Sequence, residues 1–122
     1  MYGVPEELPL AGFVGQELDL IGLGRSQIQL RFSGGGQIDI ESGSWELADP
    51  RGTPLDAAEE HDTRECYRLH RLLSLPVVGF AIDAPFSFTL AFGEGFRLTI
   101  HDDDPHYESF TLRLRGEGLW VV

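Results

Sequence analysis

The stretch QIQLRFSGGGQIDI (residues 27–40) has the same pattern as SFTLAFGEGFRLTI (residues 87–100), sixty positions later. In both stretches apolar and polar residues alternate on either side of a glycine-rich turn, and Gly35 corresponds to Gly95. Strict alternation is typical of an antiparallel strand with one buried and one solvated face, and glycine supplies the positive φ that a tight turn needs. The sequence therefore predicts two copies of one β-hairpin, that is, a duplicated β-unit with pseudo-symmetry.

Strand patterns on both sides extend each hairpin into a meander. The first repeat covers residues 17–47 and the second covers residues 77–114, and a last strand is predicted at residues 119–122. The total is eight or nine strands. Because each strand has one apolar face, we expect the two meanders to pack partly against each other.

The residues on these apolar faces are assigned by alternation. Leu18, Leu20 and Leu23 are predicted to face inward from the strand that leads into the first hairpin. In the second hairpin, Phe86 is placed on the same inner face as Phe88.

Between the repeats, the sequence favours a helix. Thr53 is a suitable N-cap with Pro54 at the first helical position, and Asp62 begins a second capping signal. The helix therefore spans either residues 54–74 or residues 62–74. Its apolar stripe consists of Cys66, Leu69, Leu72 and Leu73. With this helix packed on the sheet, the expected fold class is α+β.

The composition indicates a single domain over residues 1–122 and a strongly acidic surface. The formal net charge is −11, and all nine basic residues are arginine. This charge repels phosphate backbones and anionic lipid, which argues against nucleic-acid and membrane binding. It favours a basic protein partner, and a homodimer is a further alternative. No cofactor is expected.

Cys66 is the only cysteine, so an internal disulfide is excluded and a reducing cytoplasm is the expected location. The first ten residues lack the basic and apolar segments of a signal peptide. No apolar run approaches the ~18 residues that a membrane-spanning helix requires.

The segment DDDPHYESF (residues 102–110) resembles a D-D-x-x-x-Y-E-S-F type motif of a family of small bacterial proteins. Residues 15–32 and 45–47 resemble the N-terminal half of the same family. No activity is established for that family. The resemblance therefore implies a domain of unknown function and assigns no role to any residue.

The loop at residues 101–108 holds the densest group of side chains suited to chemistry. The candidate binding residues are His101, Asp102, Asp103, Asp104, His106, Tyr107 and Glu108. Carboxylates and imidazoles can bind cations or transfer protons, but their spacing matches no established metal motif. We therefore assign no metal here and interpret the loop first as a turn stabilised by aspartate side chains.

Two further groups fall in the predicted helix. Cys66 and His70 lie one helical turn apart, which permits a thiol–imidazole pair, although a buried core cysteine fits the apolar stripe better. Arg64, Arg68 and Arg71 follow at helical spacing and are interpreted as a solvated face.

No catalytic set is assembled by these patterns, so no catalytic residue is predicted. The expected function is a non-catalytic, acidic protein-interaction or accessory module, a class that includes immunity proteins and antitoxins. The alternative is a small-ligand-binding or metal-binding protein, or an enzyme, that uses the loop at residues 101–108.

Overall fold

The computed structural model describes residues 3–25, 27–41, 44–58, 67–102, 109–116 and 118–122. The strands are β1 Leu18–Leu23, β2 Ile28–Phe32, β3 Gln37–Ile40, β4 Trp45–Ala48, β5 Pro54–Ala57, β6 Val77–Asp83, β7 Ser87–Phe92, β8 Arg97–His101, β9 Phe110–Leu114 and β10 Gly118–Val121. Short 3₁₀ turns occur at Leu10–Phe13, Leu69–Leu72 and Gly93–Gly95.

The ten strands form two five-stranded antiparallel sheets. The order is β1-β2-β3-β9-β10 in the first sheet and β5-β4-β8-β7-β6 in the second. The chain thus leaves the first sheet after β3 and returns to it only with β9. The prediction of a β-rich antiparallel fold is confirmed.

The two quoted stretches form hairpins with the same register. Leu30 lies opposite Ile38 between β2 and β3, and Leu90 lies opposite Leu98 between β7 and β8. All four of these side chains have no exposed surface. Every pair of partners in the first hairpin therefore has a counterpart sixty positions later.

The last hairpin of each half belongs to the sheet that the other half begins: β4 and β5 lie in the second sheet, and β9 and β10 lie in the first. β4 pairs with β8, and β9 pairs with β3. The two crossings are closed by equivalent hydrogen bonds: the His101 N–H donates to the Ser44 carbonyl (2.8 Å), and the Glu41 N–H donates to the Ser109 carbonyl (2.9 Å). The two sheets are consequently built from both halves.

The halves also meet where β1 and β6 begin. The Gly15 N–H donates to the Val77 carbonyl, and the Ser74 N–H donates to the Leu18 carbonyl, both at 2.8 Å. Gly15 and Ser74 both have positive φ, at 92° and 70°. This conformation is accessible to glycine and uncommon for serine, yet the reciprocal bonds hold both residues in it.

A bulge in β1 corrects the predicted inner face of that strand. The register shifts at Asp19, so the alternation reverses beyond it, and Ile21 faces Leu30. Leu20 and Leu23 are 59% and 54% exposed. The prediction that Leu20 faces inward is wrong, because the extra residue moves its side chain to the opposite face. Leu23 pairs with Ile28 on the same side as Ile21, but it lies exposed at the end of the strand and outside the core.

Phe86 is also wrongly placed by alternation. It lies in the turn before β7, where its N–H donates to the Asp83 carbonyl at 2.8 Å, and its side chain is 64% exposed. Phe88, the next residue of the predicted inner face, is fully buried.

The buried side chains of both sheets form one hydrophobic core. Phe88 of the second sheet meets Phe110 of the first in an edge-to-face contact, with ring centroids 5.0 Å apart. Phe13, from the first 3₁₀ turn, packs on Phe32 in the same way at 5.1 Å. Because burying a side chain of this size contributes about 1.5–3 kcal/mol, the shared core binds the sheets to each other.

The predicted start of the helix at residue 54 is wrong, and the helix itself is not confirmed. Residues 54–57 are β5, which pairs with β4, and residues 69–72 form a single 3₁₀ turn. The ladder offered by β4 outweighs the local capping signal at Thr53. Residues 59–66 lie outside the described residues, and the α+β class is not confirmed. Of the helices that the structure describes, none is both long and apolar enough to cross a membrane.

Candidate functional site

The acidic loop begins at His101, the last residue of β8. Its Nε2 lies 3.6 Å from Glu46 Oε1 on the neighbouring strand β4, and the two form an ion pair when the imidazole is protonated. Both side chains are partly exposed, at 36% and 55%. His101 is thus accessible, and Glu46, its acidic partner among the described residues, belongs to the sheet.

Asp102 is 5% exposed and has a structural role. Its Oδ1 accepts a hydrogen bond from Ser109 Oγ at 2.7 Å, and its Oδ2 accepts one from the Gly3 N–H. Its own N–H donates to the Phe86 carbonyl at 2.8 Å. Asp102 therefore joins the two ends of the loop to the start of the chain and to the turn before β7, and the predicted binding role stays a prediction.

The other candidates of this loop lie outside the described residues. They are Asp103, Asp104, His106, Tyr107 and Glu108. Of the predicted set, the structure describes only His101 and Asp102. Within the ranges that the structure describes, no group of three or more His, Cys, Asp or Glu side chains is arranged to hold a metal ion.

The predicted thiol–imidazole pair and basic stripe are in part outside the description, because Cys66 and Arg64 fall within residues 59–66. His70 stacks on Tyr67, with ring centroids 5.4 Å apart. Arg68 donates to the Leu55 carbonyl at 3.2 Å. Arg71 lies over the Phe96 ring, 5.2 Å from its centroid. The two described arginines therefore make contacts within the protein.

Asp56 is a buried carboxylate that the sequence analysis missed. It is 2% exposed, and its Oδ2 accepts the Arg68 N–H at 2.7 Å. Burial, and then the negative charge of Asp56, raise the pKa of the Tyr67 hydroxyl above its ordinary value. Only the acidic character of residue 56 is visible in the sequence, and there it suits the first turn of a helix equally well.

Exposed apolar side chains lie along the outer edge of β6. This strand, VVGFAID, is the last of the second sheet and pairs only with β7. Val78 and Phe80 are 59% and 43% exposed, and Phe86 lies at the end of the same hairpin. Beyond Val77, which bonds to the Gly15 segment, no backbone group in the described part of the chain pairs with this edge.

β6 differs from its counterpart β1 in one respect. Both strands contain a bulge near their start, with Asp19 as the extra residue in β1 and Val78 in β6. A charge on an edge strand discourages pairing with another chain, and a long uncharged edge invites it. Residues 77–82 carry no charge, so the edge of β6 lacks that protection.

Comparisons with protein-family models, with curated proteins and with solved structures gave no match. The resemblance at residues 102–110 accordingly stays a prediction.

Proposed function

We propose that this protein is a non-catalytic interaction module that binds an extended segment of a basic partner protein along the edge of β6. The observation that supports this proposal is the uncharged, open edge at residues 78–82. The partner segment would add a sixth strand to the second sheet.

The chemistry of such binding follows from the geometry of a sheet edge. Backbone N–H and C=O groups on the free side of β6 offer hydrogen bonds to an extended chain, and alternate side chains of that chain meet apolar neighbours. Val78 and Phe80 provide the apolar contacts in this protein. Affinity would thus come from the backbone, and preference among partners from the side chains.

The formal charge of −11 selects the occupant. A basic segment is attracted and steered toward the protein, whereas a second copy of the same chain is repelled. We therefore favour a basic partner over a homodimer.

We further propose that the two halves descend from one duplicated unit. The equal registers of the two hairpins and the equivalent bulges support this history. A cytoplasmic location and an immunity or antitoxin role belong to the same proposal, and both rest on the composition.

A peptide titration tests the binding function. The probe is a capped peptide as long as β6 in which valine and arginine alternate, and its control alternates valine and glutamate. We expect the basic peptide to shift the backbone amide signals of residues 78–83 and to slow their hydrogen exchange. Val78→Asp should abolish both effects, because it places a charge on the edge.

Leu20→Asp is the matched control, since Leu20 is as exposed as Val78 and lies on the edge of the other sheet. It should leave peptide binding unchanged. Equal loss in both variants, or equal binding of the acidic peptide, would contradict the proposed edge. Self-association measured by light scattering, if Val78→Asp suppressed it, would replace the basic partner with a second copy.

A further inference from the structure

An open groove of about 460 Å³ lies at one end of the first sheet. Its lining comes from the turn between β2 and β3 and from the hairpin of β9 and β10. The lining residues are Gly35, Arg113, Leu114, Arg115, Gly116, Gly118 and Leu119. The volume is within the range of pockets that hold small molecules, about 300–1,000 Å³.

The groove combines two cations with an apolar wall. Arg113 and Arg115 are exposed, and their guanidinium groups form no hydrogen bond or ion pair with any residue that the structure describes. Arg31, on the same sheet, is by contrast paired with Asp39. Leu119 is 54% exposed beside the two arginines. The groove therefore holds two positive charges without a partner among the described residues, in a chain whose net charge is −11.

The equivalent end of the second sheet is filled. There Pro50 packs against Gly95 so closely that a Cβ added to Gly95 would lie 2.8 Å from the Pro50 Cβ. The equivalent residue in the first sheet is Arg115. It lies two residues after Arg113, the last residue of β9 that pairs with β3, just as Pro50 lies two residues after Ala48, the last residue of β4 that pairs with β8. A Cβ added to Gly35 would meet nothing nearer than Arg115 Nε, at 4.0 Å. One half thus closes this end of its sheet with a proline, and the other leaves it open beneath a guanidinium group.

We infer that this groove binds a small organic anion, with Arg113 and Arg115 holding its carboxylate or phosphate group and Leu119 contacting its apolar part. Guanidinium groups form charge-assisted, bidentate hydrogen bonds with both kinds of anion. This site is independent of the edge of β6, because it lies on the other sheet.

Three probes test which charged group the groove binds: phenyl phosphate, benzoate and benzamidine. Each consists of a benzene ring with one charged group, which is a phosphate, a carboxylate or a cationic amidinium. Titration followed by amide chemical shifts should give saturable changes at Gly35, Gly116 and Gly118 with the two anions and none with benzamidine. The tighter of the two anions identifies the class of the natural ligand.

Arg113→Gln and Arg115→Gln should each weaken anion binding by about tenfold, the effect of losing one charged hydrogen bond. Arg115→Lys should recover part of that loss, since it restores the charge and loses the bidentate geometry. Arg51→Gln removes an exposed arginine from the equivalent turn of the second sheet and should change nothing. Absence of saturation with both anions, equal binding of benzamidine, or an equal loss in Arg51→Gln would each overturn the assignment.

Discussion

Asp19 on β1 and Val78 on β6 are the extra residues of two equivalent β-bulges, one in each half of the chain. Because Asp19 already holds a carboxylate in this backbone environment, Val78→Asp should change the free energy of unfolding by less than about 0.5 kcal/mol. Urea denaturation measures this value. The reverse variant, Asp19→Val, should likewise change the free energy of unfolding by less than about 0.5 kcal/mol, because β6 already holds a valine at this position. Severe destabilisation by Val78→Asp would show that the two bulges are not equivalent.

Removing the hydroxyl of Ser109 should destabilise the protein by about 1–3 kcal/mol, since it leaves a buried oxygen of Asp102 without its donor. Ser33→Ala serves as the control. The Ser33 hydroxyl forms a hydrogen bond as well, in which its Oγ accepts the Glu17 N–H at 3.0 Å, but this bond is exposed, and water can replace it. Chemical denaturation of the two variants should therefore give clearly different losses. Equal losses of unfolding free energy in the two variants would contradict the structural role assigned to Asp102.

Tyr67 should make the protein less stable at alkaline pH. Its hydroxyl has a raised pKa in the folded state, so in the unfolded state it loses its proton at the ordinary value of 10.0 while the folded state still retains it. The folded state then binds more protons, and stability falls as the pH rises through 10.0 and up to the folded-state pKa. Tyr67→Phe should flatten this alkaline decline when unfolding is measured at a series of pH values. An unchanged decline would contradict the shift.

Gly35 and Gly95 offer a matched pair of substitutions. Both have positive φ, at 92° and 88°, so alanine is strained at either position by about 1–2 kcal/mol. Only Gly95→Ala also forces a Cβ against Pro50. Thermal unfolding should therefore show the larger loss for Gly95→Ala. Pro50→Gly should reduce the difference, because it removes the Cβ and Cγ atoms that the new methyl group would meet. Equal losses in the two alanine variants would mean that Pro50 moves aside freely.

Much of the β-structure could be predicted because alternation is a local signal. Alternate residues of β2 are buried, as their spacing predicts: Ile28, Leu30 and Phe32. The same is true of Phe96 and of Leu98 and Ile100 in β8. The bulges could not be predicted, because an extra residue is defined only against the strand opposite. The sequence does not show where the opposite strand sets its register. The two extra residues, Asp19 and Val78, also have different side chains, so they provide no common signal for a bulge.

Two other features were hidden because they depend on contacts between distant segments. The segment from Thr53 to Ala57 carries good signals for the start of a helix, and only the presence of β4 beside it makes it a strand. For the candidate loop, the sequence indicated Asp102 as a residue of a turn and as a candidate binding residue, and it gave no sign that Asp102 is buried. Its burial depends on Ser109 and on Gly3, which is 99 positions away.

Because the first sheet contains β9 and β10, it cannot form completely while the chain is still being synthesised. A ribosome delivers β1, β2 and β3 long before β9 and β10, so the first sheet stays incomplete until translation has reached the second half. The nascent chain must hold an apolar surface uncovered through most of its synthesis, and neither half can be released as a finished folding unit.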